Sequence, residues 1–158
     1  MIQNTKNFNK LHFFTNGLGE ILTDAEKKPA VPEDTLPEDI RKLYDAYAYE
    51  DWPMRYIVTL NGESGVLLNG EFNKSDIAEA KGQPVTDKLL DTSLQKLTAY
   101  ATALEKEFDP RCTVFVNQDA FAQNLNVFIP GSIGNEDIQR CIESFKAKFS
   151  TAFEEIYA

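Results

Sequence analysis

Met54 to Phe72 reads MRYIVTL, then NGESG, then VLLNGEF. Two runs rich in β-branched and aromatic residues flank a short polar segment carrying two glycines, the pattern of a β-hairpin. Tyr56-Ile57-Val58 is apolar at successive positions. Successive strand residues point to opposite faces, so this strand needs cover on both sides, unlike a sheet with one face in water. The later stretch Val114-Phe115-Val116 repeats the feature within a second hairpin, CTVFVNQ (Cys112–Gln118) and LNVFIP (Leu125–Pro130), joined by a polar connection over 119–124.

Between the hairpins, NKSDIAEAKGQP allows a short helical turn from Ser75 that stops at Gly82-Gln83-Pro84. A long helix follows from Thr86. Leu90, Leu94, Leu97, Ala101, Leu104 and Phe108 alternate spacings of four and three, and Asp109-Pro110 ends it. After the second hairpin, Asn135 is placed to cap another long helix, with Glu136 and Asp137 in its first turn. Its stripe is Ile138, Ile142, Phe145, Phe149, Ala152 and Ile156.

Upstream, LHFFTNGLGEILTD predicts an N-terminal hairpin around Asn16-Gly17, a dipeptide suited to the positive φ angles of a two-residue turn. AEKKPAVPEDTLPED holds three prolines and reads as a loop. A helix then starts at Asp34 or Thr35, with Pro37 in its first turn. Ile40, Leu43, Tyr44 and Tyr47 form its buried stripe, and it stops before Pro53. The sum is a single α+β domain over 1–158: an N-terminal hairpin and proline-containing loop (1–33), then an αββαββα core (34–158). An antiparallel sheet of about four to six strands carries two long helices on one face. The expected cover for the second face is the N-terminal hairpin with the helix over 36–51, the alternative being another subunit. A monomer is favoured, with a homodimer as the second option.

The chain has 158 residues, a net charge of −9 and a pI near 4.6. An acidic surface repels phosphate backbones and removes the main source of nucleic-acid affinity. No run of about 18 apolar residues exists to span a membrane, and MIQNTKNFNKLHFF lacks a secretory h-region. The expected compartment is the cytoplasm. From Glu20 to Asp51 there are ten acidic residues against four basic ones, which is −6 of the total −9. A basic partner is most strongly attracted to that segment.

Motifs for chemistry are scarce. His12 is the sole histidine and lies between Leu11 and Phe13 in a strand pattern, a setting for a structural residue. With one histidine and two distant cysteines, no Cys/His zinc set forms. Cys112 and Cys141 read as buried free thiols. GLG at 17–19 lacks the third glycine of a dinucleotide loop, since position 22 is leucine. Acid pairs such as Glu136-Asp137 sit where helix N-termini favour negative charge. No catalytic constellation, cofactor or metal is therefore expected. What remains is binding. Tyr49, Glu50, Asp51 and Trp52 follow the buried stripe and combine aromatic anchors with acids that steer a basic partner. Asp45, in the same acidic segment, completes the candidate partner-binding set.

LPEDIRKLYDAYAYEDW (Leu36–Trp52) and the α+β pattern after it resemble the small, acidic, single-domain immunity proteins that neutralise polymorphic or contact-delivered bacterial toxins. The acid-plus-tyrosine character is similar to the toxin-binding helices of nuclease-colicin immunity proteins, which are smaller and all-helical. The resemblance implies an antitoxin working by protein–protein interaction: a tight complex with a cognate, basic toxin whose active site it occludes. The order helix, hairpin, helix, hairpin, helix is also similar to class I type III secretion chaperones, which wrap an extended effector segment as homodimers. An unrecognised enzyme is the third alternative.

Overall fold

The computed structural model describes residues 12–13, 38–47, 54–60 and 63–157. Its elements run in the order β1 (His12–Phe13), α1 (Glu38–Tyr47), β2 (Met54–Leu60), β3 (Glu63–Asn73), α2 (Lys74–Lys81), α3 (Asp87–Glu105), β4 (Thr113–Gln118), β5 (Ala122–Pro130), a 3-10 turn (Gly131–Ile133) and α4 (Asn135–Tyr157). The expected α+β class and antiparallel sheet are present. The strands lie in the order β1-β2-β3-β5-β4, every neighbour antiparallel. The hairpins expected over 54–72 and 112–130 are hairpins of the sheet. The two join through β3 and β5, whose register runs from Gly65 opposite Pro130 to Asn73 opposite Ala122.

Register assigns the faces. Ile57, Val66, Ile129, Leu68, Val127, Val114, Leu125 and Val116 fall on one face through the pairs Ile57–Val66, Val66–Ile129, Leu68–Val127, Val114–Val127 and Val116–Leu125. These residues form one core cluster with Leu97, Ala101 and Leu104 of α3 and with Ile138, Ile142, Phe145, Ala152 and Ile156 of α4. Each fully buried Leu, Ile, Val or Phe contributes about 1.5–3 kcal/mol, so this face dominates stability. Leu94 and Phe149, also in the expected helix stripes, are half-buried against the same cluster.

Local chemistry sets the helix ends. Thr86 Oγ1 accepts from the Leu89 amide at 3.2 Å and starts α3. Gly82, at φ 62°, ends α2 in the left-handed conformation that glycine adopts without penalty. Asn135 is the first residue of α4, and Gly134 precedes it as the acceptor for the Ile138 amide. The side chain expected to cap α4 therefore does something else, described below. Gly70, on the helix side of β3, gives α4 its close approach: a Cβ there would overlap the Phe149 ring.

The second face of the sheet carries Leu67, Phe115 and Phe128, all buried and all outside the helix-side cluster. The expected two-sided burial thus holds for Phe115 and its flanking valines. The expected cover needs a correction. The helix proposed for this second face lies on the first, because Tyr47 belongs to the helix-side cluster and Leu43 packs against it. Two hydrophobic contacts on that side, made by residues four apart in α1, fix where the helix docks. Of the N-terminal hairpin, His12–Phe13 pairs with Val58–Thr59 at the sheet edge. The turn at Asn16-Gly17 and the proline loop lie outside the described residues.

Candidate functional site

Among the sequence-derived site residues, Asp45 is exposed on α1. Tyr49, Glu50, Asp51 and Trp52 lie outside the described residues. What the fold assembles beside Asp45 is a groove of 530 Å³ between α1 and the chain on either side of the 3-10 turn. Leu43, Ala46 and Tyr47 make an apolar wall from α1, and Lys42 stands at its rim. Glu63 and Ser64 enter from the start of β3, and Ser132 and Asn135 from the segment leading into α4.

Each part is held by an identifiable contact. Tyr47 is 7% exposed, and its hydroxyl donates to Asn135 Oδ1 at 2.8 Å. Asn135 is thus spent on tethering α1 to the start of α4. Burial raises the Tyr47 pKa above its ordinary value, keeping the hydroxyl protonated as a donor. Ser132 donates to Glu63 Oε1 at 2.7 Å, which orients the carboxylate. Gly131 forms the floor, where a Cβ would stand 3.0 Å from Leu43 Cδ1 and 3.1 Å from the Ser64 carbonyl oxygen. Lys42 is engaged by Glu38 one turn earlier at 3.4 Å, an exposed pair of small energetic weight.

An apolar wall with an oriented carboxylate suits an amphipathic cation. The stem of a lysine or arginine would lie on Leu43, Ala46 and Tyr47 while its head reached Glu63. Sequence reading missed Glu63, Gly131, Ser132 and Asn135. Their only local signals are a turn, a post-proline glycine and a helix start, none of which identifies a partner.

The second face of the sheet has its own polar feature. Asn69 Nδ2 donates to Asn126 Oδ1 at 2.7 Å, and Asn126 Nδ2 donates to Asn117 Oδ1 at 2.7 Å. This buried amide ladder crosses β3, β5 and β4. Asn124, in the adjacent row, donates to Asp119 Oδ2 at 3.2 Å, while its own buried Oδ1 has no hydrogen-bond partner among the described residues. Leu67, Phe115 and Phe128 surround the ladder with apolar area.

Cys112 and Cys141 are free and buried, and their sulfurs meet at 3.8 Å. The shared S–H contact pushes the Cys112 thiol up, and burial adds to the shift; the same contact draws Cys141 down. Among the described residues, no group of three His, Cys, Asp or Glu side chains could hold a metal ion. No described helix is long and apolar enough to cross a membrane. Comparison with protein-family models, with curated proteins and with solved structures returned no match.

Proposed function

We propose that the chain is an inhibitory binding protein of the toxin-immunity type, acting in the cytoplasm of a bacterium. In this reading it neutralises a basic partner by seating one of that partner's cationic side chains in the groove beside α1. The observation that carries the reading is the Glu63 carboxylate, oriented by Ser132 at the end of the Leu43–Ala46–Tyr47 wall. Asp45 adds charge on the exposed side of α1, and Glu50 and Asp51 extend the acidic segment. Acids around an apolar anchor accelerate encounter, and the desolvated contact slows dissociation. Occlusion of a cationic active site follows from such docking without any reaction on this chain.

The direct test is co-expression with the toxin encoded next to it, followed by mixing of the purified proteins. A 1:1 complex that abolishes the toxic activity supports the proposal. Glu63→Lys with Asp45→Lys is expected to slow association about tenfold at low salt and to flatten its salt dependence. An unchanged association rate overturns the assignment of the groove.

The alternative reading is a secretion chaperone of the class I kind, holding an extended client segment. A homodimer that retains an unfolded client, with no loss of toxicity on mixing, supports this reading over the first.

A further inference from the structure

A second concavity, 360 Å³ in volume, opens where α2 ends and α3 begins. Three lysines line it: Lys81 from the last turn of α2, Lys88 from the first turns of α3 and Lys96 further along α3. Thr92, Ser93 and Gln83 supply hydroxyl and amide groups, and no carboxylate is among its described lining residues. In a chain with 25 acidic and 16 basic residues, this gathering runs against the overall balance.

The arrangement follows from local geometry. Gly82 closes α2 in the left-handed region, and the Gln83 amide bonds back to the Ala78 carbonyl at 3.1 Å, turning the chain so that Lys81 meets α3. Leu89, Thr92, Ser93 and Lys96 stand at i, i+3, i+4 and i+7, one face of that helix. Lys88 and Lys96 are eight residues apart, about 12 Å along the axis.

The basic residues of the other described ion pairs have acidic partners: Lys42 with Glu38, Arg111 with Asp109 and Asp137, Arg140 with Asp137, Lys148 with Glu107. The three pocket lysines join no ion pair among the described residues. Instead, Lys81 and Lys96 line the same concavity, and Lys96 lowers the Lys81 pKa from its ordinary value. Like charges gathered around one concavity repel, and an anion between them relieves the repulsion. Ser93 lines the pocket, and no hydrogen bond to a described residue engages its hydroxyl, which leaves it free to donate into the pocket.

We propose that this pocket binds a phosphoryl group, as free phosphate or as the phosphate end of a small monoester. The group sits between Lys81 and Lys96 and accepts a hydrogen bond from Ser93. Lys88, about two turns away, reaches the remainder of an ester. Charge-assisted bonds from ammonium groups to phosphate oxygens are the strong members of their class, and the site is independent of the α1 groove.

The test is a titration of the full chain followed by amide chemical shifts. The probes are inorganic phosphate and glycerol 3-phosphate, with sodium chloride at matched ionic strength as the control. The expected result is saturable shifts at amides between positions 81 and 96, with a Kd on the order of 1 mM or tighter. Tighter binding of the ester identifies a monoester site, and equal binding identifies free phosphate as sufficient. Lys81→Ala with Lys96→Ala is expected to weaken binding at least about tenfold, a loss the removal of two charge-assisted bonds readily produces. Ser93→Ala is expected to weaken it severalfold, and Lys148→Ala to leave it unchanged. Shifts that only match those from sodium chloride overturn the proposal. So does undiminished binding in the double lysine variant when its melting temperature is preserved, or saturation by DNA but by neither phosphate probe.

Discussion

Gly70→Ala probes the contact that seats α4 on the sheet. The new methyl would overlap the Phe149 ring, so one of the two must shift. The ring has little room to move. It lies 5.0 Å from the Phe72 ring and is stacked on Phe145 at 5.7 Å with an interplanar angle of 7°. Overpacking of a filled site costs about 1–3 kcal/mol, and each disturbed aromatic pair is worth about 0.5–1.5 kcal/mol. Reduced entropy of the unfolded chain returns about 0.4–1 kcal/mol. The expected net loss is about 2 kcal/mol, or roughly 4–8 °C in Tm for a chain of this size. Urea unfolding followed by circular dichroism measures it, with an unchanged m value as the check that the two end states are preserved. Phe149→Leu supplies the control, since a smaller side chain leaves space for the methyl. In the double variant the losses should fall short of additivity by at least about 1 kcal/mol. A Gly70→Ala loss below about 0.5 kcal/mol, or strict additivity with Phe149→Leu, refutes the reasoning.

Asn126→Ala removes the middle of the amide ladder and strands both Asn69 and Asn117, so a loss of about 2–4 kcal/mol is expected in chemical denaturation. Asn117→Ala leaves Asn126 its contacts with Asn69 and the Phe115 carbonyl and should cost less, about 1 kcal/mol. Tyr47→Phe breaks the tether to Asn135 at about 1 kcal/mol, and equal melting of the variant and the parent would show that α1 docks without it. Asp109 gives a pH signature: bonds from Arg111 hold its carboxyl down to about 2, against an ordinary value of 3.8. Because the folded pKa is depressed, the stabilisation is complete above the unfolded value and is lost as pH falls toward about 2. The Tm gap between the parent and Asp109→Asn should therefore be constant near neutrality and close between pH 4 and 2, modestly, because the pair faces water; a gap that persists at pH 2 contradicts this account.

The sequence alone determined the elements. Alternating four-three spacing marked α3 and α4, and β-branched runs around glycine turns marked both hairpins, because side-chain periodicity is a property of neighbouring residues. It also determined that the sheet is buried on both faces, through Phe115 between Val114 and Val116. What tertiary structure decided is which distant residues meet. Asn135 looked like a helix cap and instead receives the Tyr47 hydroxyl from 88 positions earlier. Cys112 and Cys141 read as buried free thiols, and they are, but only the fold brings their sulfurs to 3.8 Å. Glu63 gains its place in the groove only when the start of β3, the 3-10 turn and α1 converge, and Lys81 and Lys96 line one concavity only once Gly82 has reversed the chain. Local propensity fixes where helices and strands lie along the chain. Long-range packing fixes which faces they present to each other, and both candidate sites are built from that packing.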